Sequence, residues 1–167
     1  MDGWLIALLF SMFPYVSQTG PDALRFENDC GAAVASMVIL ATGGDYYSPD
    51  ELMGNRQPED RLRLDELRNI LAKHGIASTV NQNTAPRPGD IILLDATYYN
   101  GTDRQPGFWA PHYVVFLFAD GDYVTVQDPL YGAHLRIDRV QFEKARKNIA
   151  SKSLVVDGWP TPLEGVE

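Results

Sequence analysis

Residues 29–41 have the sequence DCGAAVASMVILA, and this stretch decides how the chain folds. It is apolar on nearly every side, which predicts a helix buried in the core rather than a helix on the surface. Asn28 or Asp29 is placed to cap the start of the helix, and a glycine pair at 43–44 follows as a stop signal. The helix is therefore predicted to begin at the cysteine.

Two further helices are predicted before residue 76. Ser48-Pro49-Asp50-Glu51 is a capping box with proline at the first helical position, which marks the start of one of them. Leucine and isoleucine residues recur at helical spacing over 64–71, and Gly75 ends that helix. The first half of the chain is therefore predicted to be helical.

The second half of the chain has the pattern of β-strands. Apolar runs rich in β-branched and aromatic residues occupy 91–94, 113–118, 123–126, 135–137 and 153–156. Asp120-Gly121-Asp122 is a hairpin turn signal, and a short helix is expected near 142–147. Helices followed by strands predict an α+β fold with an antiparallel β-sheet.

The length of 167 residues predicts a single domain over 1–167, because domains usually contain about 100–200 residues. An apolar segment at 4–13 is too short to span a bilayer, which takes about 20 residues, and we expect the first 13 residues to pack on the domain. Residues 159–167 contain two prolines, a glycine and two glutamates, and we expect them to form a flexible tail.

The composition excludes several classes of function. Fourteen basic residues against 22 acidic ones give a formal net charge of −8, which argues against nucleic-acid binding and against docking on anionic membranes. Neither a zinc-type cluster of histidine and cysteine nor a calcium loop occurs, so we expect no metal and no cofactor. A chain with one free cysteine and no recognised signal peptide is expected in the cytoplasm, with secretion as the alternative.

Cys30 is the single cysteine of the sequence, so either packing or reactivity explains it. The start of a helix carries about half a positive charge, which stabilises a thiolate. A nucleophilic cysteine also needs a base, and the sequence offers three histidines. His74 stands beside Gly75 at a predicted helix end, where it suits a capping role, and His134 is predicted to lie in an exposed turn.

His112 is the histidine whose position suits catalysis. It opens the strongest predicted strand, directly after Pro111, and Asp128 ends the strand that returns across the hairpin. The two residues are 16 positions apart, which suits two short strands and a tight turn. The hairpin therefore predicts that His112 and Asp128 are neighbours, as an imidazole and the acid that orients it must be.

Three short segments resemble the bacteriocin-processing cysteine peptidases, which are papain-like domains that cut after double-glycine leaders. The segments are DCGAA at 29–33, PHYVV at 111–115 and QDP at 127–129, and the resemblance extends from about Tyr15 to Asp157. It implies a papain-like α+β fold in which a helical N-terminal half, carrying the nucleophile helix, packs on an antiparallel sheet. It also implies that Cys30 is the nucleophile, His112 the general base and Asp128 the orienting residue.

In that family a glutamine upstream of the cysteine supplies an oxyanion-hole donor, and Gln18 is the best match. The interval of 12 residues from Gln18 to Cys30 exceeds the usual family spacing, at which Leu24 stands instead. An inserted loop at 20–26 would absorb the difference. The backbone N–H of Cys30 would be the second donor.

Four aromatic residues precede His112 in a segment rich in glycine and proline: Tyr98, Tyr99, Phe108 and Trp109. Such a loop is suited to wall a cleft and bind an extended substrate. The alternative is that these aromatic side chains only pack the loop against the domain. The sequence leaves both interpretations open.

The predicted function is that of a cysteine peptidase, which hydrolyses a peptide or amide bond of a peptide or protein substrate through an acyl-enzyme. One alternative is a catalytically silent domain that binds a peptide in the same cleft. Another is a papain-like cell-wall amidase or endopeptidase, because such enzymes also carry Pro-Gly-Asp before a strand, as at 88–90 here. The negative net charge is compatible with a basic substrate.

Overall fold

The computed structural model describes residues 14–16, 29–57, 60–98 and 111–160. Three helices come first: α1 (Cys30–Ala41), α2 (Pro49–Met53) and α3 (Leu64–Lys73). They are followed by β1 (Ser78–Gln82), β2 (Ile91–Asp95), a 3₁₀ turn (Ala96–Tyr98), β3 (Pro111–Asp120), β4 (Tyr123–Asp128) and β5 (Gly132–Asp138). The last elements are α4 (Arg139–Asn148) and β6 (Lys152–Val156).

The six strands form one sheet in the order β1-β6-β2-β3-β4-β5, and all the strand pairs are antiparallel. The predicted α+β fold with an antiparallel sheet is therefore confirmed. Within the part of the chain that the structure describes, no helix is long and apolar enough to cross a membrane.

Helices cover both faces of the sheet, and each face has its own apolar core. Alternate residues of β2 and β3, such as Ile91 and Tyr113, pack with α1 and α3 in one cluster. Their neighbours Ile92 and Val114 point to the opposite face and pack with Phe142 of α4. This two-residue alternation is the reason that the central strands are apolar at nearly every position.

Helix α1 is buried from Gly31 to Ile39, as its apolar sequence predicts. A Cβ atom on Gly31 would lie 3.0 Å from Leu62 Cβ and 3.4 Å from Tyr113 Cδ2, so a larger residue here would force its neighbours to shift by a few tenths of an ångström. The prediction that Asn28 or Asp29 caps the start of the helix is confirmed for the position of Asp29. Asp29 occupies the N-cap position but makes no capping hydrogen bond.

The predicted capping box at Ser48 is present, because Ser48 Oγ accepts a hydrogen bond from Glu51 N at 3.3 Å and Glu51 Oε2 accepts one from Ser48 N at 2.7 Å. His74 is the C-cap residue of α3, and its ring packs edge-on against Tyr47 at 4.3 Å. His134 is exposed, as predicted, but the predicted turn is wrong because the residue lies within β5.

The beginning of the predicted flexible tail is also wrong. Trp159 is only 7% exposed and belongs to the core cluster on the α1 face. Its ring lies against Gly89, whose φ of +86° and lack of a side chain leave room for it. The remaining tail residues 161–167 and the N-terminal segment 1–13 lie outside the described residues.

The contact between Gly89 and Trp159 predicts an unusual cost for Gly89→Ala. An alanine Cβ would lie 2.2 Å from Trp159 Cγ, whereas nothing lies within 4 Å of a Cβ on Gly121, which also has a positive φ. Gly121→Ala should cost about 1–2 kcal/mol for the left-handed backbone alone. Gly89→Ala should cost a further ~1–3 kcal/mol for overpacking, as measured by urea denaturation. Equal losses in the two variants would contradict this packing.

Candidate active site

The β3–β4 hairpin brings His112 and Asp128 together at its open end. The register pairs Asp120 with Tyr123 beside the turn and Val115 with Gln127 farther along. His112 Nε2 lies 2.8 Å from Asp128 Oδ1. The His112 side chain is 7% exposed and that of Asp128 is fully buried, so the pair is shielded from water.

The Asp128 carboxylate is held by more than the imidazole. Its Oδ1 atom also accepts hydrogen bonds from the backbone N–H of Leu130 at 2.8 Å and of Tyr131 at 3.0 Å. The Tyr15 hydroxyl donates to the backbone carbonyls of Asp128, at 3.1 Å, and Pro129, at 3.2 Å. The carboxylate therefore has a fixed position toward which the imidazole is oriented.

Cys30 approaches the same imidazole from α1, of which it is the first residue. Its side chain is half-buried and lies close enough to the His112 ring to raise the pKa of that imidazole. Because Nε2 faces Asp128, Nδ1 is the ring nitrogen left for the cysteine. The structure thus brings together the three side chains that the sequence singled out, one from a helix and two from neighbouring strands.

The surroundings of His112 favour its charged form. Burial by itself lowers the pKa of the imidazole, but hydrogen bonds to Asp128 and Cys30, together with their negative charges, raise that pKa from 6.5 to about 10. A protonated imidazole beside a cysteine sulfur atom is one of the two groups that nucleophilic catalysis by a thiol requires. The arrangement is therefore suited to nucleophilic chemistry by Cys30.

Asp29, directly before the cysteine, is a feature of the site that sequence reasoning missed. Its side chain is fully buried, and neither carboxylate oxygen has a hydrogen-bond partner among the described residues. Burial, and next the negative charge of Asp50, raise the pKa of Asp29 from 3.8 to about 7. Below that pH the carboxyl group is neutral, so it does not oppose a negative charge on the adjacent Cys30.

A groove of about 520 Å³ opens beside Cys30. The segment at 61–65, which leads into α3, forms one wall, and the Tyr113 hydroxyl fastens this wall by donating to Leu62 O at 3.0 Å. Side chains of β1, β2, β3 and β6 form the floor. Sequence reasoning missed this groove, because no local signal relates the segment at 61–65 to Cys30.

The other predicted site residues have different outcomes. Tyr98 is half-buried and packs against the core cluster on the α4 face, which is the packing alternative for that residue. Tyr99, Phe108, Trp109 and Gln18 lie outside the described residues, so their roles stay predictions.

Over residues 14–16, 29–57, 60–98 and 111–160, no three histidine, cysteine or acidic side chains are arranged to hold a metal ion. Asp120 and Asp122 flank the turn between β3 and β4. Aspartate is common in turns, so the turn alone accounts for the presence of both residues.

The electrostatic setting of His112 predicts an imidazole that keeps its proton well above neutral pH. In NMR spectra of protein with ¹⁵N-labelled imidazoles, His112 should stay protonated to at least pH ~8, and Cys30→Ala should lower its midpoint. His134 is the internal control, because partial burial lowers its pKa below 6.5. A His112 midpoint at or below that of His134 would contradict the charged pair.

Three solved structures have a similar fold. A protein from Bacillus anthracis, assigned as a C39-like peptidase, is 14% identical over 86% of this chain and 94% of its own, with a TM-score of 0.62. The peptidase domain of Streptococcus ComA, a bi-functional ABC transporter involved in quorum sensing, is 16% identical over 86% and 97%, with a TM-score of 0.63. A double glycine motif protease from an AMS/PCAT transporter, solved with the leader peptide, is 16% identical over 86% and 90%, with a TM-score of 0.50.

These identities are low, so the solved structures establish the fold alone, and a search of curated proteins finds no match. The model of the Peptidase C39 family, however, matches residues 24–150, which is most of the chain. The matched region contains Cys30, His112 and Asp128 and begins after Gln18. By this match the chain belongs to the Peptidase C39 family of cysteine peptidases.

Proposed function

We propose that this protein hydrolyses a peptide or amide bond, with Cys30 as nucleophile, His112 as acid–base catalyst and Asp128 as the residue that orients His112. The observation that carries the proposal is the position of one imidazole, which has Cys30 beside it on one side and is hydrogen-bonded to Asp128 at 2.8 Å on the other. This is the arrangement of nucleophile, base and orienting acid that acyl transfer requires.

In the first step the Cys30 thiolate attacks the carbonyl carbon of the scissile bond, and the carbonyl oxygen becomes an oxyanion. The His112 imidazolium then gives its proton to the departing nitrogen, so the C–N bond breaks and the amine product leaves. The acyl group stays on the cysteine sulfur as a thioester. His112 is now neutral and still hydrogen-bonded to Asp128.

In the second step the neutral His112 takes a proton from water, and the resulting hydroxide attacks the thioester. The bond between carbon and sulfur breaks, which releases the acid product and restores the thiolate and the imidazolium. During both steps the oxyanion would be stabilised by the backbone N–H of Cys30, at the helix start where such groups have no partner within the helix. Gln18 would supply the second donor, as the family resemblance implies.

Two other functions share this fold. Peptide binding alone does not require a buried imidazole between a carboxylate and a thiol. Because burying charged groups costs free energy, this arrangement favours a catalytic role over a silent peptide-binding domain. The cell-wall interpretation depends on Pro88-Gly89-Asp90, but this motif forms a turn here. Asp90 Oδ2 accepts a hydrogen bond from Arg87 N at 2.8 Å, and Gly89 packs under Trp159. The motif therefore does not favour peptidoglycan as the substrate.

The proposal predicts proteolysis that depends on both Cys30 and His112. Incubated with a peptide library prepared from a digested proteome, the wild-type protein should generate new termini detectable by mass spectrometry. Cys30→Ala should lower the cleavage rate about 10³-fold or more, and His112→Ala about 10²–10⁴-fold. His134→Ala, a change at an exposed histidine of β5, should cleave at the wild-type rate.

Circular dichroism of each variant separates lost catalysis from lost folding. Purified peptidoglycan serves as a second substrate in the same experiment, and release of its peptides in preference to proteome peptides would favour the cell-wall alternative. Peptide binding without cleavage, unchanged in Cys30→Ala, would favour the silent domain. Cleavage that persists in folded Cys30→Ala would overturn the proposed nucleophile.

A further inference from the structure

The floor of the groove beside Cys30 runs across four neighbouring strands toward one edge of the sheet. Tyr113 of β3 pairs directly with Leu93 of β2, and both line the groove close to the cysteine. β6 and then β1 follow in the sheet, and they contribute Lys152 and Val80 to the floor. The groove therefore leads from the reactive sulfur atom to the edge strand β1.

The charge of this groove is opposite to that of the whole chain. Its lining includes three basic side chains, Arg61, Arg63 and Lys152, and one acidic side chain, Asp65, although the chain carries a formal net charge of −8. A locally positive groove on an acidic protein attracts negative groups and repels positive ones. The net charge of −8 is therefore a poor guide to the charge of the substrate.

The basic residues of the groove differ in how strongly their charges are already compensated. Arg63 pairs with Asp65 at 3.2 Å and with Glu66 at 3.6 Å. The Lys152 ammonium group, on the exposed first residue of β6, has no acidic partner among the described residues. An acidic group in the groove would therefore meet the charge of Lys152 most directly.

We propose that the groove binds the acidic side chain of a peptide substrate, with Lys152 as the residue that selects it. Leu93 and Val80 of the floor, with Leu62 and Leu64 of the wall, would pack against apolar residues next to the acidic residue in the substrate. This assignment deepens the proposed peptidase function and rests on it.

The sheet geometry sets the position of the acidic residue in the substrate. Lys152 lies two strands away from Tyr113, and strands are about 4.8 Å apart, so the separation is about 10 Å. An extended peptide advances about 3.3 Å per residue, which places the acidic side chain three or four positions from the scissile bond.

The roles proposed for Cys30 and His112 set the direction of the bound peptide. The groove is lined by Cys30 but not by His112, which protonates the leaving amine in the proposed mechanism. The chain on the amine side of the bond departs past His112. The acyl side, N-terminal to the bond, therefore occupies the groove and carries the acidic residue.

The first test is the cleavage pattern in a proteome-derived peptide library. Wild-type protein should show Asp and Glu enriched about twofold or more, at the third or fourth position before the cut. Lys152→Glu should abolish the enrichment or shift it to Lys and Arg. Lys144→Glu, the same change at an exposed position of α4 outside the groove, should leave it unaltered. Cleavage without this enrichment, or with the same enrichment in Lys152→Glu, would overturn the assignment.

The second test is independent of turnover and uses the full chain with Cys30→Ala. Two fluorescent pools of randomised heptapeptides, with Glu or Lys fixed at the first position, are compared by anisotropy. The Glu pool should bind about threefold to tenfold more tightly, the difference should shrink in 0.5 M NaCl, and adding Lys152→Glu should reverse it. Equal binding of the pools would overturn the acidic subsite even if the wild type is an active peptidase. A Glu preference in a protein that cleaves nothing would overturn the proposed function alone.

Discussion

A hydrogen bond of 2.8 Å between His112 Nε2 and Asp128 Oδ1 joins the beginning of β3 to the end of β4. Both side chains are buried, and a buried charged pair is tolerable only when each member is satisfied by its surroundings. The backbone N–H groups of Leu130 and Tyr131 supply that satisfaction for Asp128. This contact depends on the hairpin register, on the tight turn after Asp128 and on the placement of α1.

The close packing of α1 sets the position of the Cys30 sulfur relative to the His112 imidazole. Gly31 lets the first turn of the helix approach Leu62 and Tyr113, and alanines at 32, 33 and 35 continue the small surface. Larger residues here would lift the helix away from the sheet and move the Cys30 sulfur away from the imidazole. A displacement of about 1 Å is enough to cost a nucleophile most of its advantage.

Local signals made a large part of the molecule predictable. The apolar run of α1, the capping box at Ser48 and the hairpin turn at 120–122 are encoded by adjacent residues. The hairpin alone was enough to predict that His112 and Asp128 are neighbours. The edge strand β1 was missed because its sequence is mostly polar and its residues pair with β6 residues 70 to 78 positions away. The buried state of Asp29 and the groove wall at 61–65 also arise only from tertiary packing. Whether Gln18 can serve as an oxyanion-hole donor depends on the loop at 20–26, and no spacing rule gives the conformation of a loop.

The central claim is that Cys30 and His112 form a reactive ion pair, and the pH dependence of Cys30 alkylation by iodoacetamide tests it most directly. Because the chain has one cysteine, every adduct in an intact-mass spectrum reports this residue. An ordinary thiol is less than about 1% ionised at pH ~6. The account predicts rapid alkylation at that pH, slowed at least about tenfold by His112→Ala. Alkylation of the folded protein that begins only above pH ~8, at the same rate in both proteins, would contradict it.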